Sequence, residues 1–151
     1  MEWIERGQPF SDEVITELEK QLGVRLPNDF VEWFKQYEDL EYGAWVDVEG
    51  EPYNIEEFYG LEHFVEEMDR FFSGREKYKA YGTVVPFAFD STLNRFCFFY
   101  PKDHKEISGV FLRRRDDDLS EVFEGDGIKE SLYISQTFQD FLEKLYIDDE
   151  D

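Results

Sequence analysis

Two apolar runs, Thr83-Val84-Val85-Pro86-Phe87-Ala88-Phe89 and Arg95-Phe96-Cys97-Phe98-Phe99-Tyr100, are separated only by Asp90-Ser91-Thr92-Leu93-Asn94. Runs this short, rich in valine and aromatic residues and bounded by turn formers, read as strands. Pro86 lacks a backbone N–H and marks either an edge strand or a bulge. The five-residue connection is a hairpin turn. Val110 to Arg115 reads as a third strand and Leu132 to Ile134 as a fourth. Their spacing fits an antiparallel meander.

Helical patterns flank this core. Ser11 is a good N-cap, with Asp12 and Glu13 in the electropositive first turn. Val14, Ile15, Leu18 and Leu22 follow at helical spacing, and Gly23 fits the residue after the helix. Val24-Arg25-Leu26-Pro27 is an extended link, because the residue before proline is pushed out of the α region. Pro27 opens a second helix whose apolar face is Phe30, Trp33, Phe34 and Tyr37. Leu40 to Pro52, with Gly43 and Gly50, reads as loop and short strand, and Ile55 to Tyr59 as a further strand. Leu61, Phe64, Val65, Met68, Phe71 and Phe72 suit a helix ending near Gly74. Glu62, Glu66, Glu67 and Asp69 lie largely on its other side. Ser135 caps a last helix carrying Phe138, Phe141, Leu142 and Leu145. The tail Asp148 to Asp151 reads as frayed and solvated. The fold class is α+β: a mostly antiparallel sheet with helices packed on one side, in a single domain over residues 1–151.

Composition bounds the function. In 151 residues, 41% are hydrophobic and 19% aromatic, which argues against disorder. Lys and Arg total 16 against 37 Asp and Glu, a formal net charge of −21. Such charge repels nucleic acid and anionic lipid, so neither is expected as a partner. Its benefit is either solubility or steering toward a basic partner. Cys97 is the only cysteine, so no internal disulfide forms, which favours a reducing compartment. Met1-Glu2-Trp3-Ile4-Glu5-Arg6 lacks the basic start and apolar stretch of a secretory leader, and the expectation is a cytoplasmic protein.

A search for catalytic chemistry returns nothing. His63 and His104 have no histidine or cysteine at zinc-site spacing. Cys97 has mostly phenylalanine around it, which reads as a buried small hydrophobe rather than a nucleophile. Close carboxylate pairs are inevitable among 37 acids and carry little information. Asp116-Asp117-Asp118 resembles the start of a calcium loop, but Glu121 stands where that loop requires glycine. There is no phosphate-binding glycine loop and no nucleophile elbow. Arg113-Arg114-Arg115 is the one basic run, and three aspartates follow it at once, which reads as neutralisation. No catalytic residue, cofactor or metal is expected. The acidic surface is better explained by recognition of another macromolecule.

Several places resemble one family. They are the helix ending Leu18-Glu19-Lys20-Gln21-Leu22-Gly23 and the step Leu26-Pro27-Asn28-Asp29-Phe30. The following helix, Val31 to Tyr37, fits too, as do Val85-Pro86-Phe87-Ala88-Phe89-Asp90 and the strand Phe96-Cys97-Phe98-Phe99. The closing helix, Ile134-Ser135-Gln136-Thr137-Phe138-Gln139-Asp140-Phe141-Leu142, completes the set. In this order they are similar to the SUKH superfamily, the cell-wall-assembly-regulator (Smi/Knr-like) domain, over roughly Ser11 to Tyr146. One departure is Tyr37-Glu38-Asp39-Leu40, where members often carry an asparagine-glycine turn.

The resemblance implies a bacterial immunity protein, a non-enzyme that binds and blocks a polymorphic toxin one-to-one. Such toxins are often nucleases, and a nuclease is basic around its phosphate-binding cleft. The alternatives are a regulatory interaction scaffold and an enzyme built on carboxylates. The expected toxin contacts fall in two groups. The first is Glu41, Asp47, Glu49 and Glu51 with the aromatics Tyr42, Trp45 and Tyr53, which either form a hot spot or pack the loop down. The second is Asp116, Asp117, Asp118, Glu121 and Glu124.

Overall fold

In the computed structural model, which describes residues 2–147, the two apolar runs are neighbouring antiparallel strands at the centre of the sheet. In chain order the elements are β1 (Trp3–Glu5), α1 (Asp12–Leu22), α2 (Asn28–Gln36), β2 (Tyr37–Leu40), β3 (Ala44–Val48), β4 (Glu51–Ile55), β5 (Glu57–Phe58), α3 (Phe64–Phe71), β6 (Gly82–Phe89), β7 (Arg95–Pro101), β8 (Gly109–Arg113), β9 (Phe123–Glu124), β10 (Gly127–Ile128), β11 (Tyr133–Ser135) and α4 (Phe138–Lys144). The main sheet runs β11-β8-β7-β6-β5, antiparallel throughout. β1 pairs with β2, β3 with β4, and β9 with β10. The architecture is the expected α+β.

Pro86 resolves to a bulge. β6 is flanked by β5 and β7, and its register against β7 shifts between Pro86 and Ala88. The irregularity falls where proline cannot donate to the ladder. Asp90 then builds the turn. Its Oδ1 accepts from the backbone N–H of Thr92 and of Asn94, and its Oδ2 accepts from Asn94 Nδ2. These bonds are what make a buried carboxylate tolerable there.

Side-chain alternation along the strands creates two cores, one on each face of the sheet. Val85, Phe87, Phe96, Phe98, Val110 and Leu112 belong to the core that α1, α2 and α4 cover. Phe30 of α2 sits at its centre, 5.1 Å from Phe34, 5.2 Å from Phe98 and 5.0 Å from Phe138, centroid to centroid. Val84, Cys97, Phe99 and Phe111 face the other way, under Phe71, Phe72, Leu119, Val122, Phe123, Ile128 and Leu132. That second cover consists of the end of α3, short 3-10 turns and the β9–β10 hairpin. α3 contributes to both cores, with Phe64 in the first and Phe71 in the second.

The step Leu26 to Phe30 has a clear physical role. Leu26 N–H donates to Glu19 Oε2 at 2.7 Å, tying the link back to α1. Asp29 Oδ1 accepts from Phe30 N–H, and its Oδ2 accepts from Gln139 N–H at 2.9 Å, in the first turn of α4. One aspartate therefore joins the starts of two helices, where negative charge is favoured. Ser11 and Gly23 cap α1 as expected: Ser11 Oγ accepts from Val14 N–H, and Gly23 has φ 78°.

Several sequence expectations are corrected. Tyr37 leaves the helix and opens β2, extended against β1, an element the sequence reading omits. Leu40 to Pro52, expected as loop and short strand, holds β3 and the start of β4, which form a hairpin closed by Glu49 and Gly50, with φ 53° and 78°. Two successive positive φ values match the hand of hairpin twist. The strand expected over Ile55 to Tyr59 is divided: Ile55 ends β4 opposite Ala44, and Glu57–Phe58 form β5 against β6, with Glu56 N–H and Tyr59 N–H also donating to β6 carbonyls. Thr137, not Ser135, caps the last helix. Its Oγ1 accepts from Asp140 N–H, while Ser135 lies in β11 and donates its hydroxyl to the Thr137 carbonyl. Glu67 turns inward, 6% exposed, where Tyr59 Oη donates to it at 3.2 Å and Arg95 Nε at 3.3 Å. A carboxylate so placed is retained because cations accompany it. The acidic tail, Asp148 to Asp151, lies outside the described residues.

Candidate protein-docking face

The β3–β4 hairpin is amphipathic. Ala44, Val46 and Val48 point into the helix-side core, and Trp45 and Asp47 point away. By register, Trp45 stands opposite Asn54 and Asp47 opposite Pro52, so these four share the outer face. Tyr146, just after α4, clamps this face. Trp45 and Tyr146 exchange both backbone hydrogen bonds, at 2.8 and 2.9 Å. Tyr146 Oη also donates to Asp47 Oδ1 at 2.6 Å. Glu41 and Tyr42 occupy the turn before the hairpin, and Tyr42 is the most exposed large apolar side chain among the described residues, at 57%. Glu51 is exposed at the start of β4.

Glu49 and Tyr53 are committed elsewhere. Arg114 Nε donates to Tyr53 Oη at 2.9 Å, and its terminal nitrogen meets Glu49 Oε1 at 2.9 Å. The same guanidinium stands 3.9 Å from Asp117 Oδ2. Arg114 thus fastens the hairpin to the loop after β8 and neutralises one acid from each expected group. Asp118 is engaged too. It accepts from the Ser120 N–H and hydroxyl and lies 3.6 Å from Arg75. The Ser120 hydrogen bonds hold its carboxyl below the ordinary value. Asp116, Glu121 and Glu124 are exposed. Glu121 and Glu124 flank Phe123, which covers the second core, so they lie on a different side of the molecule from Tyr42 and Trp45.

At the base of the hairpin the structure gathers acids that sequence reading did not single out. β2 packs beside β5, and half-buried Asp39 feels the charges of Glu57, Glu38 and Glu56. Burial, opposed in part by a hydrogen bond from Leu40 N–H and reinforced by the three glutamates, pushes the Asp39 carboxyl up to about 6. Arg6 lies 3.9 Å from Glu38. Since Ala44 pairs with Ile55, this cluster adjoins the Glu41–Tyr42 turn. The available signal was Glu38-Asp39 itself, the departure from the family's turn.

Cys97 is fully buried, and desolvation raises its thiol far above the ordinary value. His63 is exposed, 3.4 Å from Glu62, and His104 is exposed in a turn. Among the described residues no group of three His, Cys, Asp or Glu side chains could hold a metal ion. No helix among them is long and apolar enough to cross a membrane.

A helix-backed antiparallel meander with an aspartate turn at Asp90 and a cross-helix Asp29 defines a class of fold, and comparison gives its family. Residues 9–144 match the SMI1 / KNR4 family (SUKH-1), and the chain belongs to that family. Comparison with curated proteins gives no match.

Proposed function

We propose that the protein is an immunity protein: a single SUKH-like domain, acting in the bacterial cytoplasm, that binds a cognate polymorphic toxin one-to-one and neutralises it without catalysis. The partner is a basic toxin domain, most readily a nuclease. The observation that carries this reading is the acid cluster around Asp39, set beside exposed Tyr42 and half-buried Trp45. A face with an excess of acids over cations and an aromatic anchor suits a cationic cleft. The net charge of −21 supports the same reading, because it accelerates encounter with a basic surface. Within the expected contacts, Glu41, Tyr42, Trp45, Asp47 and Glu51 fit this face. Glu49, Asp117 and Asp118 are occupied by arginines, and Glu121 and Glu124 lie apart from it.

The test is co-expression with the toxin domain encoded beside this protein, scored by host survival and by co-purification. Cells that die without the protein and survive with it support the reading. Tyr42→Ala should then weaken the complex about tenfold or more without changing the melting temperature. The complex should also weaken as salt is added. The family match gives a second reading, a regulatory interaction scaffold. It gains ground if the neighbouring domain is harmless or kills regardless.

A further inference from the structure

A second feature runs against the sign of the molecule. A cavity of about 390 Å³ opens beside the second core, between the end of α3 and the loop after β8. Four of the chain's eight arginines line it: Arg70, Arg75, Arg113 and Arg115. Ser73 adds a hydroxyl, and Asp116, Asp117 and Asp118 complete the polar wall.

What matters is how these charges are already used. Asp117 turns to Arg114, which does not line the cavity. Asp118 is held by Ser120 and Arg75. Arg70 pairs with Glu66 and Glu67, neither of which lines the cavity. Arg113 and Arg115 have no carboxylate within ion-pair distance among the described residues. Arg113 is half-buried, 5.7 Å over the Phe71 ring, and donates to the backbone carbonyls of Arg114 and Asp117. Those two contacts hold one terminal nitrogen and orient the guanidinium plane. Desolvation pulls its pKa below the ordinary value, so its charge is under-compensated where it stands. A planar, pre-oriented guanidinium with a second arginine beside it is the arrangement that takes an oxyanion in two parallel hydrogen bonds. The cavity is large enough for a small organic phosphate.

We propose that this cavity binds a phosphoryl oxyanion, supplied as free phosphate or as the phosphate ester of a small metabolite. The contacts are the guanidiniums of Arg113 and Arg115 with the Ser73 hydroxyl. Asp116, exposed and without a cation at ion-pair distance among the described residues, opposes the ligand from the rim and keeps the affinity modest.

The experiment is a nuclear magnetic resonance titration of the full chain with inorganic phosphate, ADP and glucose 6-phosphate in turn. Ionic strength is held constant with chloride as the control. Saturable shifts at Ser73 and Arg115 amides are expected. Arg115→Gln should weaken binding about fivefold or more, whereas Asp116→Asn should tighten it two- to threefold or so. Both side chains are exposed at the rim, so both variants should fold as the parent does, and opposite signs cannot arise from a shared loss of structure. Phosphate binding as tightly as the esters assigns the free ion as ligand; tighter binding of one ester assigns that ester. Shifts no larger than those from chloride, or equal affinities in all three proteins, overturn the proposal. The titration needs no toxin, so it can fail while the immunity reading stands, and the reverse.

Discussion

The two faces of the sheet are buried by different means. One face lies under three helices, α1, α2 and α4, whose apolar residues recur at regular spacing. The other lies under the end of α3, three 3-10 turns and the short β9–β10 hairpin, held by aromatic stacking on Phe123. Tyr81 and Tyr78 stack on Phe123 with centroids 4.6 and 5.5 Å away, and Phe72 at 6.2 Å. Both covers exclude water from the strands. Only the helices also satisfy most of their own backbone. The irregular cover depends on individual bonds, such as Lys129 N–H to the Val122 carbonyl at 2.8 Å and the Asp118 cap on Ser120. The helical face should therefore open only with global unfolding and the irregular face locally.

The sharpest way to break this contrast is to empty each core. Phe98→Ala removes a fully buried ring stacked 4.4 Å from Phe87 and should cost about 4 kcal/mol in chemical denaturation, with a cavity the helices cannot close. Phe123→Ala should cost about 3 kcal/mol, because a loop cover collapses more readily. It should also speed hydrogen exchange over residues 119–132 while leaving β7 amides protected. Equal protection loss on both faces would remove the distinction.

A smaller effect separates the two candidate caps of α4. Thr137→Ala should cost about 1 kcal/mol of thermal stability, because Asp140 N–H loses its acceptor. Ser135→Ala should cost a few tenths of that or so, since only the Thr137 carbonyl loses a donor.

The smallest expected effect concerns pH. The Asp39 carboxyl sits at about 6 in the fold against an ordinary 3.8, so between those values the folded chain holds a proton that the unfolded chain has lost. This residue's contribution to stability therefore falls as pH rises through that window. Asp39→Asn keeps an acceptor for Leu40 N–H and removes the charge. It should raise stability above pH 7 by a few tenths to about 1 kcal/mol, with the gain vanishing near pH 4. Melting curves across that range check both the sign and the window. If the acid cluster does meet a cationic partner, binding should also release protons near pH 6, read by calorimetry in two buffers of different ionisation enthalpy.

The same contrast explains what was legible in the sequence. The helical face was readable because Ile15, Leu18 and Leu22, or Phe138 and Phe141, repeat with the period of the helix. The central strands were readable from Phe96 to Tyr100. The second cover was not, because Leu119, Val122, Phe123 and Ile128 follow no period and are placed by tertiary contacts. Tyr37 fits the periodicity of α2 and still leaves it, since pairing with β1 adds long-range bonds that a local pattern cannot display. At the candidate face, the acids were legible as charge. Which of them are spent on Arg114 and Arg75, and which crowd around Asp39, depends on packing between segments distant in sequence.

Cys97 adds a practical consequence. It is the chain's single thiol, fully buried in the middle of β7 opposite Pro86 and Phe111. Its side chain faces the second core, so a reagent reaches it once the irregular cover lifts. The rate of thiol modification is thus a built-in stopwatch for opening of that cover, readable without any introduced label.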